Sequence, residues 1–276
     1  WAPVANNLVV IGVGIALLDR AHAALAAAID DTESERLRYT ALFDAVPDPR
    51  QPFLVMEYVP GVTLRRFCRP DALLSLDQIV EIGFKCAMAL GYVARRGLIH
   101  RDVKPANILA VMDGDQIIDV KISDFGSVFD QRSDRTQVFR VGSLAYMSPE
   151  QLDGSDLDAR ADMYSLGAVL YHLIAGRPPF DAPNQVALMH QIYNGEAPAL
   201  NSLREGVPPR MAALLHQTLA KKPGDRSADW DAFAREWSLL VANGEVPVGG
   251  LQEVLDSQRF NLLRSLEFFE DFDDVE

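Results

Sequence analysis

Apolar and polar residues near the start of the chain follow the pattern that predicts β-strands. Residues 39–46 (YTALFDAV) and 52–59 (PFLVMEYV) are rich in β-branched and aromatic side chains, and the intervening PDPRQ supplies the Pro and Asp residues that favour a turn. Upstream, the apolar run LVVIGVGIALL at 8–18 has about half of the ~20 residues that a membrane-spanning helix needs. It also lacks the basic flank of a signal peptide, so a buried strand or helix is predicted there.

The next two segments predict a long helix and then a hairpin. The stretch SLDQIVEIGFKCAMALGYVARRG (75–97) opens with Ser75 and Gln78 in a capping-box pattern, repeats apolar residues at helical spacing and ends on a glycine. Residues 107–126 (NILAVMDGDQIIDVKISDFG) return to strand periodicity, with an Asp-Gly pair where a tight turn is expected. The sequence therefore predicts that the chain leaves this helix and soon enters a two-stranded ribbon.

The second half of the chain is helical in pattern. Residues 159–176 (ARADMYSLGAVLYHLIAG) are apolar on nearly every face, which predicts a buried central helix. Three shorter helices, separated by Pro and Gly, are predicted at 184–195, 208–220 and 229–244, and GEVPVGG (244–250) is predicted to be a linker. A few strands followed by many helices indicates an α+β fold with a helical main lobe.

Charge and cysteine content narrow the classes of function. The chain has 26 Lys and Arg against 39 Asp and Glu, a formal net charge of −13, which argues against a nucleic-acid partner. Cys68 and Cys86 lack metal-ligand spacing and are predicted to be reduced and buried, which favours a cytoplasmic protein. The chain begins at Trp1 rather than Met, which predicts a fragment or a processed chain.

The segment HRDVKPANIL (100–109) carries the residues best suited to chemistry. Phosphoryl transfer needs an acceptor for a hydroxyl proton, a cation against the phosphate charge and oxygen ligands for Mg²⁺. Asp102, Lys104 and Asn107 fit these three roles in that order, and one loop can direct all three side chains at the same point. Asp124, in the DFG tripeptide, supplies a second oxygen ligand for a metal.

These two motifs together resemble the catalytic core of bacterial eukaryotic-type (Hanks-type) serine/threonine protein kinases. The resemblance extends to GSLAYMSPEQ (142–151), to DMYSLG (162–167) and to Arg226, and it covers about residues 39–240. It implies a protein-kinase-like bilobal fold with a small, partly β N-lobe and a mainly helical C-lobe. The expected division is a reduced or atypical N-lobe at 1–56, a hinge and C-lobe at 57–243, and a linker with an acidic amphipathic tail at 244–276.

The resemblance implies a role for each matching residue. Asp102 would orient and deprotonate the substrate hydroxyl, Lys104 would meet the γ-phosphate of ATP, and Asn107 and Asp124 would bind Mg²⁺. The residues expected to hold ATP are Met56, Glu57, Val59, Leu109, Lys104 and Asp124. His100 and Phe125 would stack in a hydrophobic spine, and Ser143 would help to position a protein substrate with a Ser or Thr acceptor.

The same resemblance implies structural and regulatory residues. Glu150 and Arg226 would form a buried ion pair, and Asp162 would accept hydrogen bonds from the backbone of the catalytic loop. Arg101 would pair with a phosphate on the segment between Asp124 and Gly142. Thr136 is the expected main site and Ser133 a second one, and an exposed loop without regulatory phosphate is the alternative.

The N-terminal region departs from the kinase pattern. Gly12 and Gly14 begin a glycine-rich pattern, but Leu17 stands where a third glycine is expected, and the first lysine in the chain is Lys85. Arg20 is the only early cation near the position of the usual nucleotide-binding lysine. Two explanations stay open: an active kinase with a shortened or altered N-lobe, or a pseudokinase that acts as a binding module. A small-molecule phosphotransferase would not need the substrate platform that GSLAYMSPEQ predicts.

The acidic C-terminus carries a second resemblance. The segment RFNLLRSLEFFEDFDDVE (259–276) resembles the helix that leads into cyclic-nucleotide-binding domains. This implies a cyclic nucleotide as a partner, bound by a domain beyond Glu276. The alternative is an acidic amphipathic helix that docks on the large lobe or on a partner.

Overall fold

The computed structural model describes the strands at 2–4, 8–12, 42–46 and 53–57, and the continuous stretches 58–124 and 144–246. Predictions about Gly14, Leu17 and Arg20 therefore lie outside the described residues. The same holds for Phe125, Ser133, Thr136 and Ser143, and for the tail at 259–276. For the strands before residue 58, backbone pairing is described and side chains are not.

The N-terminal strands form one antiparallel sheet. Its strands are β1 (Ala2–Val4), β2 (Leu8–Gly12), β3 (Leu42–Val46) and β4 (Phe53–Glu57), in the spatial order β1-β2-β4-β3. The pairing of Val46 with Phe53 confirms the predicted strand–turn–strand unit. The first part of the apolar run at 8–18 is a strand, and Gly12 pairs with Phe53 at its end. Strand β4 leads directly into residue 58.

A second antiparallel sheet follows the first. It comprises β5 (Gly61–Thr63), β6 (Ile108–Asp113) and β7 (Gln116–Ile122) in that order. The predicted hairpin is confirmed, with the correction that the turn lies between the paired residues Asp113 and Gln116. Its central residues are thus Gly114 and Asp115, one position later than predicted, because Gly114 has the positive φ of +57° that the turn requires.

Helices make up most of the remainder. They are α1 (Leu76–Arg95), α2 (Pro149–Asp153), α3 (Arg160–Ala175), α4 (Gln185–Asn194), α5 (Pro209–Thr218) and α6 (Trp230–Ala242). The predicted capping box of Ser75 and Gln78 is present at the start of α1. This agreement reflects strong local signals, because caps and apolar spacing act within a few residues.

Helix α3 lies in the core, as its all-round apolar pattern predicted. It contacts α1 and α5, and its residues from 161 to 171 are all buried. On the other side of α1, the Trp237 indole of α6 donates a hydrogen bond of 2.8 Å to the Val80 carbonyl. Gly83 of α1 allows this approach, since a β-carbon there would lie 2.3 Å from Trp237 Nε1.

Three further observations bear on the sequence predictions. Cys68 and Cys86 are free thiols and both are buried, as expected. Val246, within the predicted linker, is 1% exposed, and its amide donates to the Leu240 carbonyl at 2.9 Å. Across the described stretches of the chain, no helix has the length and apolar character required to cross a membrane.

Candidate active site

The buried carboxylate of Asp162 holds the loop that carries Asp102. Asp162, near the start of α3, is 3% exposed. It accepts hydrogen bonds from the backbone amides of His100 at 2.6 Å and Arg101 at 2.7 Å. Burial raises the pKa of Asp162, whereas His100 and the two amide donors act to lower it. The predicted anchoring of the loop by Asp162 is thus present.

Three of the predicted catalytic side chains meet directly. Lys104 Nζ lies 2.8 Å and 2.6 Å from the two carboxylate oxygens of Asp102. Asn107 Nδ2 donates at 2.9 Å to Asp102 Oδ2 and at 2.9 Å to the Asp102 carbonyl. Nδ2 makes both of these hydrogen bonds. The side-chain oxygen of Asn107, Oδ1, lies on the other side of the amide group, and it is the atom that can bind a metal. The loop therefore groups a carboxylate, an ammonium and an amide at one point.

Asp124 is connected to this cluster through the backbone. The Asn107 carbonyl accepts from the Ser123 amide at 2.8 Å and from Ser123 Oγ at 3.1 Å, and the buried His100 ring bonds the Ser123 carbonyl at 3.2 Å. Asp124 follows directly, is exposed, and has a φ of +67°. Arg101 has a φ of +66°. Positive φ is uncommon for non-glycine residues and concentrates at functional sites.

For the residues expected to hold ATP, the structure gives the backbone pairing of some and the burial of others. Met56 and Glu57 end strand β4, with Glu57 paired to Leu8. Val59, two residues later, is 8% exposed, and Leu109 in β6 is half-buried and paired with Lys121. Within the described part of the chain, no three His, Cys, Asp or Glu side chains converge to hold a metal. The oxygen donors of Asn107 and Asp124 are of the kind that Mg²⁺ prefers.

Helix α2 is tied to the same loop. Gln151 Nε2 donates to the Arg101 carbonyl at 2.9 Å, while Gln151 also completes a capping box with Ser148. The predicted ion pair of Glu150 and Arg226 is confirmed, with Nη1 and Oε1 2.6 Å apart. Helix α2 is thus tied to the backbone of the Asp102 loop and, through Glu150, to Arg226.

Sequence reasoning missed one linkage close to this site. His172 of α3 bonds the Tyr146 hydroxyl through Nδ1 at 2.8 Å and the Cys68 carbonyl through Nε2 at 3.0 Å. The two rings stack, with centroids 6.0 Å apart. A carbonyl can only accept, so Nε2 carries the proton and Nδ1 accepts from Tyr146. No short-range signal predicts this linkage, because its three members come from distant parts of the sequence.

Comparison with known proteins agrees with this geometry. The chain is 34% identical over 248 residues to serine/threonine-protein kinase PknB of Mycobacterium tuberculosis, which covers 88% of this chain and 37% of PknB. It is 36% identical over 209 residues to serine/threonine-protein kinase PknL of that organism, with 75% of this chain and 51% of PknL covered. It is 38% identical over 247 residues to serine/threonine-protein kinase PknB of Mycolicibacterium smegmatis, with 88% and 37% covered.

The chain thus spans between 37% and 51% of the length of these relatives. Residues 38–238 match the protein kinase domain family, a range that contains the Asp102 loop, Asp124 and the Glu150–Arg226 pair. The matched range ends before 259–276, so the resemblance of that tail to cyclic-nucleotide-binding domains stays a prediction. With the match spanning most of its length, the chain belongs to the protein kinase domain family.

Proposed function

We propose that this chain is a protein serine/threonine kinase that transfers the γ-phosphoryl group of ATP to a Ser or Thr hydroxyl with the help of Mg²⁺. The observation that carries the proposal is the convergence of Lys104 and Asn107 on the Asp102 carboxylate. The names of the relatives, all serine/threonine-protein kinases, support the choice of acceptor.

In the proposed reaction the acceptor oxygen forms a bond to the γ-phosphorus, and the bond from that phosphorus to the bridging oxygen of ADP breaks. The Asp102 carboxylate takes the hydroxyl proton, because it is the base at the centre of the cluster. Lys104, now paired with Asp102, supplies positive charge where the transferred phosphate would lie. Asn107 fixes the orientation of Asp102 through its two hydrogen bonds.

Two groups of residues would hold the cofactors. Asn107 and Asp124 would bind Mg²⁺, and bound Mg²⁺ would neutralise part of the phosphate charge. The backbone of Glu57 and Val59 would bind the adenine, with Met56 as the gate beside the pocket and Leu109 as its floor. The hydrogen bond from the Ser123 amide to the Asn107 carbonyl supports the assignment of Asn107 and Asp124 to Mg²⁺, because it fixes the position at which Asp124 follows strand β7.

A transfer assay tests the proposal. The 276-residue chain is incubated with labelled ATP and Mg²⁺, with one basic and one acidic generic protein as acceptors. Asp102→Asn and Asp124→Asn should each abolish transfer, because they remove the base and a metal ligand. Asp115→Asn is the matched control, since it makes the same change at the exposed hairpin turn and should retain activity.

The same assay separates the active and pseudokinase explanations. A folded chain that binds Mg-ATP but transfers no phosphate, with or without the substitutions, would contradict the proposal and favour a binding module. Transfer that disappears in both substituted chains and persists in the control would show that this N-lobe suffices without the usual lysine.

A further inference from the structure

A short arginine-rich turn lies beside the candidate active site. We call Arg65, Arg66 and Arg69 the basic turn. All three are exposed, in a chain whose net charge is −13. Arg69 forms an ion pair with Asp71, but in the described stretches no carboxylate forms an ion pair with Arg65 or Arg66. Among the described residues, these two arginines of an acidic protein therefore have no carboxylate as an ion-pair partner.

The turn is anchored to the catalytic loop by its buried side. The helical turn Leu64–Phe67 contacts the Pro105–Asn107 segment, which ends in a residue of the catalytic cluster. Leu64 is 0% and Phe67 8% exposed, so both side chains pack inward. The arginines between them consequently point away from the core, at the edge of the loop that carries Asp102.

A second, independent anchor comes from the other side of the site. The Cys68 carbonyl accepts from His172 Nε2 at 3.0 Å, and His172 Nδ1 bonds the Tyr146 hydroxyl at 2.8 Å. Tyr146 belongs to the turn Leu144–Tyr146, immediately before helix α2. The basic turn is thus tied to the catalytic loop on one side and to the segment that leads into α2 on the other. Under the proposed function, a protein acceptor would approach Asp102 at this loop.

The positive charge of Arg65 acts on the side chains of Cys68 and Tyr146. Burial raises the pKa of the Cys68 thiol to about 12 and raises that of Tyr146 also, and Arg65 opposes both shifts. The nearby Asp181 acts on His172 instead. Arg65 therefore lies close enough to Cys68 and Tyr146 for its charge to act on both side chains.

We propose that Arg65 and Arg66 select substrates, favouring proteins that carry Asp or Glu close to the phosphorylated Ser or Thr. This inference rests on the proposed kinase function. Guanidinium groups bind carboxylates through paired, charge-assisted hydrogen bonds. Because both arginines are exposed, each contact contributes modestly, and the preference is graded and sensitive to salt.

The test uses three peptides with one shared Ser/Thr acceptor and flanks of Asp, Asn or Lys. The wild-type chain should show a kcat/KM for the Asp peptide about threefold to tenfold above that for the Asn peptide, with the difference mainly in KM. Raising the salt from about 0.05 M to about 0.5 M should reduce this ratio towards one.

Substitutions at the two arginines identify the groups responsible. The double change Arg65→Gln and Arg66→Gln should remove the preference and leave the KM for ATP unchanged. Arg65→Lys with Arg66→Lys should keep most of it, since the charge is retained. Arg65→Glu with Arg66→Glu should invert it in favour of the Lys peptide. Arg235→Gln, at an exposed position on helix α6, is the matched control and should behave as the wild type.

The possible outcomes distinguish a failure of this inference from a failure of the proposed kinase function. Equal kcat/KM for the Asp and Asn peptides in an active wild-type chain would overturn the inference and leave the kinase function standing. A preference that survives the Gln double substitution, or a raised KM for ATP in place of a lost peptide preference, would also overturn it. Absence of transfer to every peptide and to both generic proteins would overturn the kinase function and the inference together.

Discussion

Arg226 and Glu150, 76 residues apart in the sequence, form a two-point ion pair, with Nη1 to Oε1 at 2.6 Å and Nη2 to Oε2 at 2.9 Å. The Arg226 side chain is 0% exposed and that of Glu150 is 11% exposed. Arg226 also donates to the carbonyls of Arg160 at 2.8 Å and Ala220 at 2.9 Å. One guanidinium therefore joins helix α2, the start of α3 and the segment after α5.

Replacing Arg226 with Gln should strongly destabilise the fold. The change leaves the Glu150 carboxylate enclosed without its cation, and removing one partner of a buried pair costs about 3–5 kcal/mol. The free energy of unfolding from urea denaturation measures the effect. Arg210→Gln, which breaks the partly exposed pairs with Glu236 and Glu245, should have a much smaller effect. Equal losses in the two variants would contradict the assignment of a buried, structural pair.

Gly83→Ala should also destabilise the protein, through crowding rather than lost charge. The new β-carbon would lie 2.3 Å from Nε1 and 2.7 Å from Cε2 of Trp237. Overpacking of this kind costs about 1–3 kcal/mol, and here it also disturbs the indole bond to Val80. Gly224→Ala is the control, because nothing lies within 4 Å of its β-carbon. A wild-type urea midpoint for Gly83→Ala would show that α1 and α6 can separate without loss.

Much of the large lobe could be predicted because its signals are local or belong to short motifs. Ser75 and Gln78 begin helix α1 through a contact between residues three positions apart. The contact of Asn107 with Asp102 joins residues five positions apart. Each of these needs only the neighbouring backbone conformation to form, so the sequence alone contains the required information.

Contacts between distant segments could not be predicted in the same way. His172 bonds a carbonyl 104 residues away, and its Tyr146 partner is 26 residues away. The carbonyl of Cys68 has no sequence signature, since every residue has one. The basic turn was equally hidden, because its significance depends on the packing of Leu64 and Phe67 against the catalytic loop. The hairpin turn was misplaced by one residue because either Asp-Gly or Gly-Asp can occupy it.

Acidification should weaken the fold through His172. Burial lowers the pKa of His172 below the usual range of an imidazole, and the hydrogen bond to the Cys68 carbonyl and the charge of Asp181 oppose this shift only in part. Below about pH 6.5 the unfolded chain therefore binds a proton that the folded chain resists, so stability falls as the pH falls through this window. Protonation would also remove the acceptor that Nδ1 offers to Tyr146. Urea midpoints between about pH 7.5 and pH 5 measure the decline.

His172→Gln should reduce this dependence on pH, although the variant will be less stable at neutral pH because the linkage is weakened. His190→Gln is the matched control, since His190 is exposed on helix α4 and its loss should leave the decline unchanged. A steeper decline in His172→Gln than in the wild type would contradict the neutral state assigned to this imidazole.

Asn107→Ala should reduce turnover about 100-fold or more, because it frees the Asp102 carboxylate from the donor that orients it. Initial rates of transfer at saturating ATP measure the loss. If Asn107 Oδ1 also binds Mg²⁺, the concentration of Mg²⁺ that gives half the maximal rate should rise in the variant. Asn201→Ala, at an exposed position far along the chain, should leave both quantities unchanged.

The two roles of Asn107 make different demands on the replacement side chain. Asn107→Asp retains an oxygen ligand, but it loses the Nδ2 donor and places a second carboxylate next to Asp102. It should therefore preserve the Mg²⁺ dependence better than Asn107→Ala while still losing turnover. If both variants show the same Mg²⁺ dependence as the wild type, Asn107 acts only by positioning Asp102. The metal would then depend on Asp124 and the phosphate oxygens, in line with the loss of transfer expected for Asp124→Asn.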